Sequence, residues 1–181
     1  DKGAFWVSKN DGKKWIENSD GIQNNYIRSI CPSKFSESRV YMTMTGINYD
    51  DLGNYIYVSE NYGKKWTSIK MNLPNEPANV ILEDPSFEKI LYAGLYRGVY
   101  ISLDRGSSWS LLGKNLPATS ISDLEIHQES GDLIAASHGR GIYKMNLKPI
   151  YSAFEKGFPL KQNTLFEISD VERPLMNDTH G

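Results

Sequence analysis

Two arginines recur at one depth in related segments of this 181-residue chain. Tyr96-Arg97-Gly98-Val-Tyr100 and Arg140-Gly141-Ile-Tyr143 align on their Gly-x-Tyr, which stacks Arg97 on Arg140. A guanidinium grips a carboxylate bidentately, and a tyrosine ring offers a flat face to a sugar or a cation. The simpler reading has each arginine bonding carbonyls of its own loop. Asp50 and Asp51, which follow Asn48-Tyr49, are the acids to weigh for catalysis. Acid–base hydrolysis by paired carboxyls needs two of them about 5–5.5 Å or 6.5–9.5 Å apart. No partner acid is identifiable in the sequence, so a solvated turn is their plainer role. Calcium requires more fixed oxygens than these two supply. His138 is a lone candidate base, and neither His127 nor His180 stands at metal-ligand spacing from it. A hydrogen-bonded loop residue is its simpler description. Cys31, followed by Pro32, reads as a small packing hydrophobe. No metal or cofactor is expected.

The elements that position these residues come from an internal repeat. Ser8-Lys-Asn-Asp-Gly-Lys-Lys-Trp15, Ser59-Glu-Asn-Tyr-Gly-Lys-Lys-Trp66 and Ser102-Leu-Asp-Arg-Gly-Ser-Ser-Trp109 are one motif written three times. The tryptophans stand 51 and 43 residues apart, and Tyr41, Tyr92 and Ala135 repeat the same two intervals. The whole unit therefore recurs, with an insertion of about eight residues in the polar stretch Ile47–Asn54. Each unit reads as four short strands. Strand A is Tyr26–Cys31, Asn79–Leu82 and Ile121–His127; strand B is Val40–Met44, Ile90–Leu95 and Leu133–Ser137. Strand C carries the aromatic run ahead of the motif serine, and strand D contains the tryptophan. Four strands per unit at a period in the forties predict an all-β chain of β-propeller blades. Blade boundaries fall near residues 25, 78 and 120, within a repeat region of 1–148. Residues 149–181 form an extension, with a short helical turn over Pro149–Lys156 and a possible closing strand near 164–168.

Within the motif, Ser8, Ser59 and Ser102 and the side chains of Asn10, Asn61 and Asp104 are suited to bond the backbone of a tight turn. Gly12, Gly63 and Gly106 supply positive φ, and Trp15, Trp66 and Trp109 are expected to bury their rings between neighbouring blades. A calcium or sugar site at each turn fits less well, because Asn replaces the acid in two copies and Lys14 and Lys65 bring positive charge. The motif resembles the Asp-box, or bacterial neuraminidase repeat, written Ser-x-Asp-x-Gly-x-Thr-Trp. That repeat occurs in sialidases, xyloglucan-degrading endoglucanases, sortilin-type receptors and photosystem assembly-factor-like propellers. Ser102, Asp104, Gly106 and Trp109 match it, with Ser108 for Thr; Asn10, Asn61, Lys14 and Lys65 depart from it. The last unit, with Ser137-His-Gly-Arg-Gly-Ile-Tyr143, also resembles the closing part of large secreted glycosyl-hydrolase-like proteins.

That resemblance implies a secreted or cell-surface protein. The sialidases in the family use a tyrosine nucleophile with a glutamate and three arginines; only two face arginines and no such Tyr/Glu pair are found here. About three and a half blades are present, against four to eight in a closed ring. The chain is thus expected to be a C-terminal fragment, or one of several chains, of a larger propeller whose remaining blades are its partners. Its open end should expose strand edges and one apolar face. Propeller ligands meet the B–C and D–A loops, which places Tyr49, Asp50, Asp51, Tyr96, Arg97, His138 and Arg140 on the candidate face. The reading is a non-catalytic glycan- or protein-binding or scaffold segment. The alternative is part of a glycoside hydrolase with catalytic residues partly outside this chain. A net charge of −2 gives no polycationic footprint for nucleic acid, and no apolar run reaches the roughly 20 residues of a membrane span.

Overall fold

The computed structural model describes residues 3–19, 22, 25–113 and 115–157. A hairpin of β1 (Trp6–Val7) and β2 (Ile16–Glu17) comes first. Sheet I follows with β3 (Tyr26–Pro32), β4 (Val40–Gly46), β5 (Asp51–Ser59) and β6 (Thr67–Ser68). Sheet II has β7 (Ala78–Glu83), β8 (Leu91–Leu95), β9 (Gly98–Ser102) and β10 (Ser110–Leu112). Sheet III has β11 (Ile121–His127), β12 (Asp132–Ser137) and β13 (Gly141–Asn146). Strands pair antiparallel in chain order within every sheet. This is a partial β-propeller: two four-stranded blades, one three-stranded blade and a C–D hairpin. The chain divides into two compact units after Leu147. In the second, α1 spans Lys148–Glu155, and the expected strand near 164–168 lies outside the described residues.

The three boxes fold alike. Ser8, Ser59 and Ser102 each accept a hydrogen bond from the box glycine N–H at 2.9, 2.9 and 2.8 Å. Asn10, Asn61 and Asp104 each accept, through Oδ1, the N–H of the residue before the tryptophan at 2.8 Å. The side chains thus satisfy main-chain groups that the turn takes out of the ladder, and amide or carboxylate oxygen serves equally. Asp104 adds a bond from the Ser108 hydroxyl at 2.6 Å. Each A–B pair also carries a bulge at the same place, between Ile27 and Ser29, Ala78 and Val80, and Ile121 and Asp123.

Sheets I and II share an apolar core. Tyr41, Ile56 and Ile69 from sheet I and its exit meet Ala78, Ile81, Leu91, Ala93, Leu95 and Trp109. The Trp109 indole N–H donates to the Ile69 carbonyl at 2.8 Å, so the polar edge of the buried ring is satisfied. The rim of the same seam is ionic: Arg39 reaches Glu60 at 2.9 Å, Glu88 at 2.7 Å and Glu83 at 3.8 Å.

Four expectations change. The tryptophans precede strand D rather than lying in it, because the box turn ends at the indole. Trp109 is buried and Trp66 half-buried, but Trp15 is 57% exposed, since its box faces no other unit among the described residues. The Ile47–Asn54 insertion is not all loop: after a 3-10 turn over Ile47–Tyr49, β5 starts at Asp51. Ala135 is not the counterpart of Tyr92. Tyr92 pairs with Leu82 and Ile101, whereas Ala135 pairs with Leu124 and Tyr143, as Ala93 does with Ile81 and Tyr100. The B–C turn of sheet III is one residue longer, and a one-residue shift moves a side chain to the opposite face.

Candidate functional site

The B–C turns are built differently in each sheet. In sheet I the 3-10 turn ends at Asp50, whose φ of 57° is left-handed, a conformation Asp tolerates better than most residues. In sheet II, Leu95 pairs with Gly98 and leaves Tyr96-Arg97 as a two-residue turn. In sheet III, Ser137 pairs with Gly141 around His138-Gly139-Arg140, and the Ser137 hydroxyl donates to the Gly141 carbonyl at 2.7 Å. A hydrogen-bonded line joins the sheets beneath these turns. The Thr43 hydroxyl donates to the Asn79 carbonyl at 3.0 Å, and the Asn79 amide donates to the Ile121 carbonyl at 2.8 Å and to the Ser120 hydroxyl at 3.1 Å. Asn79 is the extra residue of its bulge, which explains a polar side chain in an otherwise apolar strand.

The structure groups the candidate residues into separate clusters. Tyr49 stacks on Tyr26 with ring centroids 6.1 Å apart and planes 12° from parallel. Asp51 lies near this turn but is turned inward, accepting the Tyr55 hydroxyl at 2.6 Å and the Gly53 N–H at 2.9 Å. Those bonds hold the Asp51 carboxyl below the usual carboxylate range, and the Tyr55 phenol is pushed up to about 12, chiefly by its bond to that carboxylate. Asp51 is therefore an orienting acceptor, ionised and engaged, while Asp50 is exposed on the turn.

Arg97 does not bond carbonyls of its own loop. Its main-chain N–H donates to Glu76 Oε1 at 3.2 Å, and its guanidinium makes an ion pair with the same carboxylate, Nε lying 3.5 Å from Oε2. Glu76 comes from the D–A connection between sheets I and II, so the two loop sets meet there. Burial raises the Glu76 carboxyl against the opposing pull of Arg97. The Arg97 side chain itself is 80% exposed, and Tyr96 beside it is exposed. His138 and Arg140 are exposed in the sheet III turn, where the Arg140 carbonyl accepts the Tyr143 hydroxyl at 3.1 Å. Tyr26, Tyr55 and Glu76 were not singled out from sequence. Glu76 carries a signal in hindsight, as an acid in Asn75-Glu76-Pro77 beside the turn-forming Asn72-Leu-Pro74.

The arrangement offers a stacked phenol pair, an exposed guanidinium tethered by a carboxylate, and a second exposed arginine. Among the described residues no group of three His, Cys, Asp or Glu side chains could hold a metal ion, and no helix is long and apolar enough to cross a membrane.

A family model described as Sortilin, neurotensin receptor 3 (Sortilin-Vps10) matches residues 3–152. Among solved structures, the GH74 enzyme of Niastella koreensis is similar at TM-score 0.62 and 18% identity, over 79% of this chain and 24% of that one. The GH74 xyloglucanase of Xanthomonas campestris is similar at 0.61 and 13%, over 81% and 25%. YCF48, in a structure with a D1 peptide bound, is similar at 0.55 and 14%, over 82% and 49%. This chain thus spans about a quarter of each GH74 enzyme and about half of YCF48. At these identities the likeness is one of fold. No curated protein sequence matches the chain.

Proposed function

The chain belongs to the Sortilin-Vps10 family, and on that premise we propose that its loop face is a non-catalytic binding surface. The ligand is a glycan or a protein segment, met by a propeller that other blades complete, in a secreted or cell-surface protein. The observation that carries this reading is the pairing of Arg97 with Glu76 across two loop sets. The main-chain bond to Glu76 fixes the Tyr96-Arg97 turn, and the ion pair at 3.5 Å keeps the exposed guanidinium beside it, where it can reach a carboxylate or hydroxyl. The stacked Tyr26–Tyr49 pair supports it by offering an apolar platform with polar edges. The engagement of Asp51 with Tyr55 and Gly53 counts against a free general acid at this face.

A glycoside hydrolase remains the second reading, favoured by the fold likeness to two GH74 enzymes. It requires a partner acid outside this chain. Isothermal titration of the completed propeller against glycan and peptide panels separates the two. The binding reading expects heat of binding without product, with Tyr49→Ala, Arg97→Ala and Arg140→Ala each weakening affinity by roughly 1–3 kcal/mol. Turnover abolished by Asp51→Asn, or affinity indifferent to all three alanine changes, would overturn it.

A further inference from the structure

A cleft of about 170 Å³ opens where the first strands of the three sheets end, away from the B–C turns. The Glu83 N–H donates to Cys31 Sγ at 3.4 Å there, which ties β7 to β3. Counted from the bulge that the strands share, Cys31, Leu82 and Glu125 stand at one level of the cleft. Lys34, Pro85 and Gln128 follow three residues further on and form the next level. Side chains that hold a unit together recur in every copy, as those of the box do. Here a thiol, an isobutyl group and a carboxylate share one position. An ammonium, a pyrrolidine ring and an amide share the other. Blade packing does not call for that variety, so its explanation lies in what the cleft takes.

The polar groups divide into engaged and free. Glu83 accepts the Ser33 hydroxyl and the Lys34 N–H and lies 3.8 Å from Arg39, so its charge is answered within the protein. Burial raises the pKa of the Cys31 thiol, which makes it a neutral surface rather than a nucleophile. Lys34 and Glu125 are exposed, one on sheet I and the other on sheet III, with sheet II between them. Among the described residues neither side chain makes an ion pair. Pro32, Leu82, Pro85 and Ile126 line the space with apolar surface.

Opposite charges across an apolar-sided cleft match a ligand that carries both signs. Pockets for drug-sized molecules run about 300–1,000 Å³, and a cavity of about 150 Å³ takes benzene, so this one suits a single small molecule. We propose that the cleft binds a free α-amino acid with an apolar side chain. Its carboxylate meets Lys34, its ammonium meets Glu125, and its side chain lies against Leu82 and Pro85. The site stands at the opposite end of the sheets from Tyr49 and Arg97, so it does not rest on the loop-face reading.

Cys31 is the only cysteine of the chain, so its alkylation by iodoacetamide reports whether the cleft is filled. Leucine at about ten times its dissociation constant should slow that reaction roughly tenfold. Isocaproate lacks the ammonium of leucine and isoamylamine lacks its carboxylate. Each should need a roughly tenfold or more higher concentration for the same protection. Leucine should lose as much with Lys34→Met or with Glu125→Gln, both of which change exposed side chains. The losses should also cross: Lys34→Met leaves isoamylamine unaffected, and Glu125→Gln leaves isocaproate unaffected. No protection by leucine, equal protection by all three compounds, or an unchanged leucine response in either variant overturns the proposal. Should Cys31 resist alkylation in the free chain, the Leu82 and Ile126 methyl signals are followed by NMR as leucine is added. Their failure to move overturns it equally.

Discussion

Replacing Arg39 with methionine tests how sheets I and II are held at their rim. The Arg39 side chain is 7% exposed and faces three carboxylates. Two of them, Glu60 and Glu88, are 53% and 43% exposed, so losing the guanidinium returns them to water at small cost. Glu83 is different: its side chain is 1% exposed, and it keeps the Ser33 hydroxyl at 2.9 Å and the Lys34 N–H at 2.8 Å, with the Tyr41 hydroxyl close by. Breaking a buried pair from one side costs about 3–5 kcal/mol because a charge is left uncompensated. The two remaining hydrogen bonds and the long 3.8 Å Arg39–Glu83 distance put the expectation at the low end, about 3 kcal/mol. For a chain of this size that lowers Tm by roughly 6–12 °C. Urea unfolding followed by circular dichroism measures it, with Glu83→Gln and the double variant completing a cycle. The double variant should regain at least about 1 kcal/mol over Arg39→Met, because no buried charge remains. A loss below about 1 kcal/mol for Arg39→Met, or no recovery in the double variant, refutes the assignment of the penalty to Glu83.

Other outcomes follow from the same geometry. A Cβ at Gly94 would lie 2.6 Å from Val80 and 2.7 Å from Ile121, so Gly94→Ala should cost about 1–3 kcal/mol in urea unfolding; a neutral result contradicts close packing of sheets II and III. Tyr55→Phe removes the strongest support of the Asp51 carboxylate, so its pKa should rise toward the ordinary value in a carboxyl-detected NMR titration, and an unmoved pKa would count against the 2.6 Å bond. Acid unfolding should carry the mark of the depressed carboxyls, Asp132 beside Ser130 and Lys144, and three others. Glu88 is held low by Arg39, Asp51 by Tyr55, and Asp104, against its own desolvation, by Ser108 and Ser102. Each binds fewer protons folded than unfolded, so its stabilisation is complete above the ordinary carboxylate range and lost as pH falls below about 4. Asp104→Asn should flatten part of that loss in pH-dependent unfolding, and an unchanged slope would remove Asp104 from the account.

Much of the architecture was legible because the box is a local device. Ser8 to Trp15 satisfies its own backbone from side chains two and four residues away, so the motif announces its turn wherever it stands. The sheet count followed from the period, and the Ile121–His127 strand has the bounds expected of it. The site was less legible. Arg97 and Glu76 lie 21 residues apart, and nothing local in either foretells the other. Asp51 looked like a loop acid, yet its pairing with Gly46 makes it the first residue of a strand, and Tyr55 bonds its carboxylate. Counting from Tyr92 to Ala135 reproduced the interval of the motif but landed on the wrong face, because one extra turn residue in sheet III shifts strand B by one against the rest of the unit.

Sequence alone determined the turn chemistry, the four-strand unit and its repetition, since each depends on residues within one period of one another. Only the tertiary structure decided which indole is buried and which carboxylate is charged and engaged. Burial and ionisation are properties of what lies across a seam. Trp15 and Trp109 are the same letter in the same motif, and among the described residues they differ in that Trp109 has a neighbouring sheet to dry it.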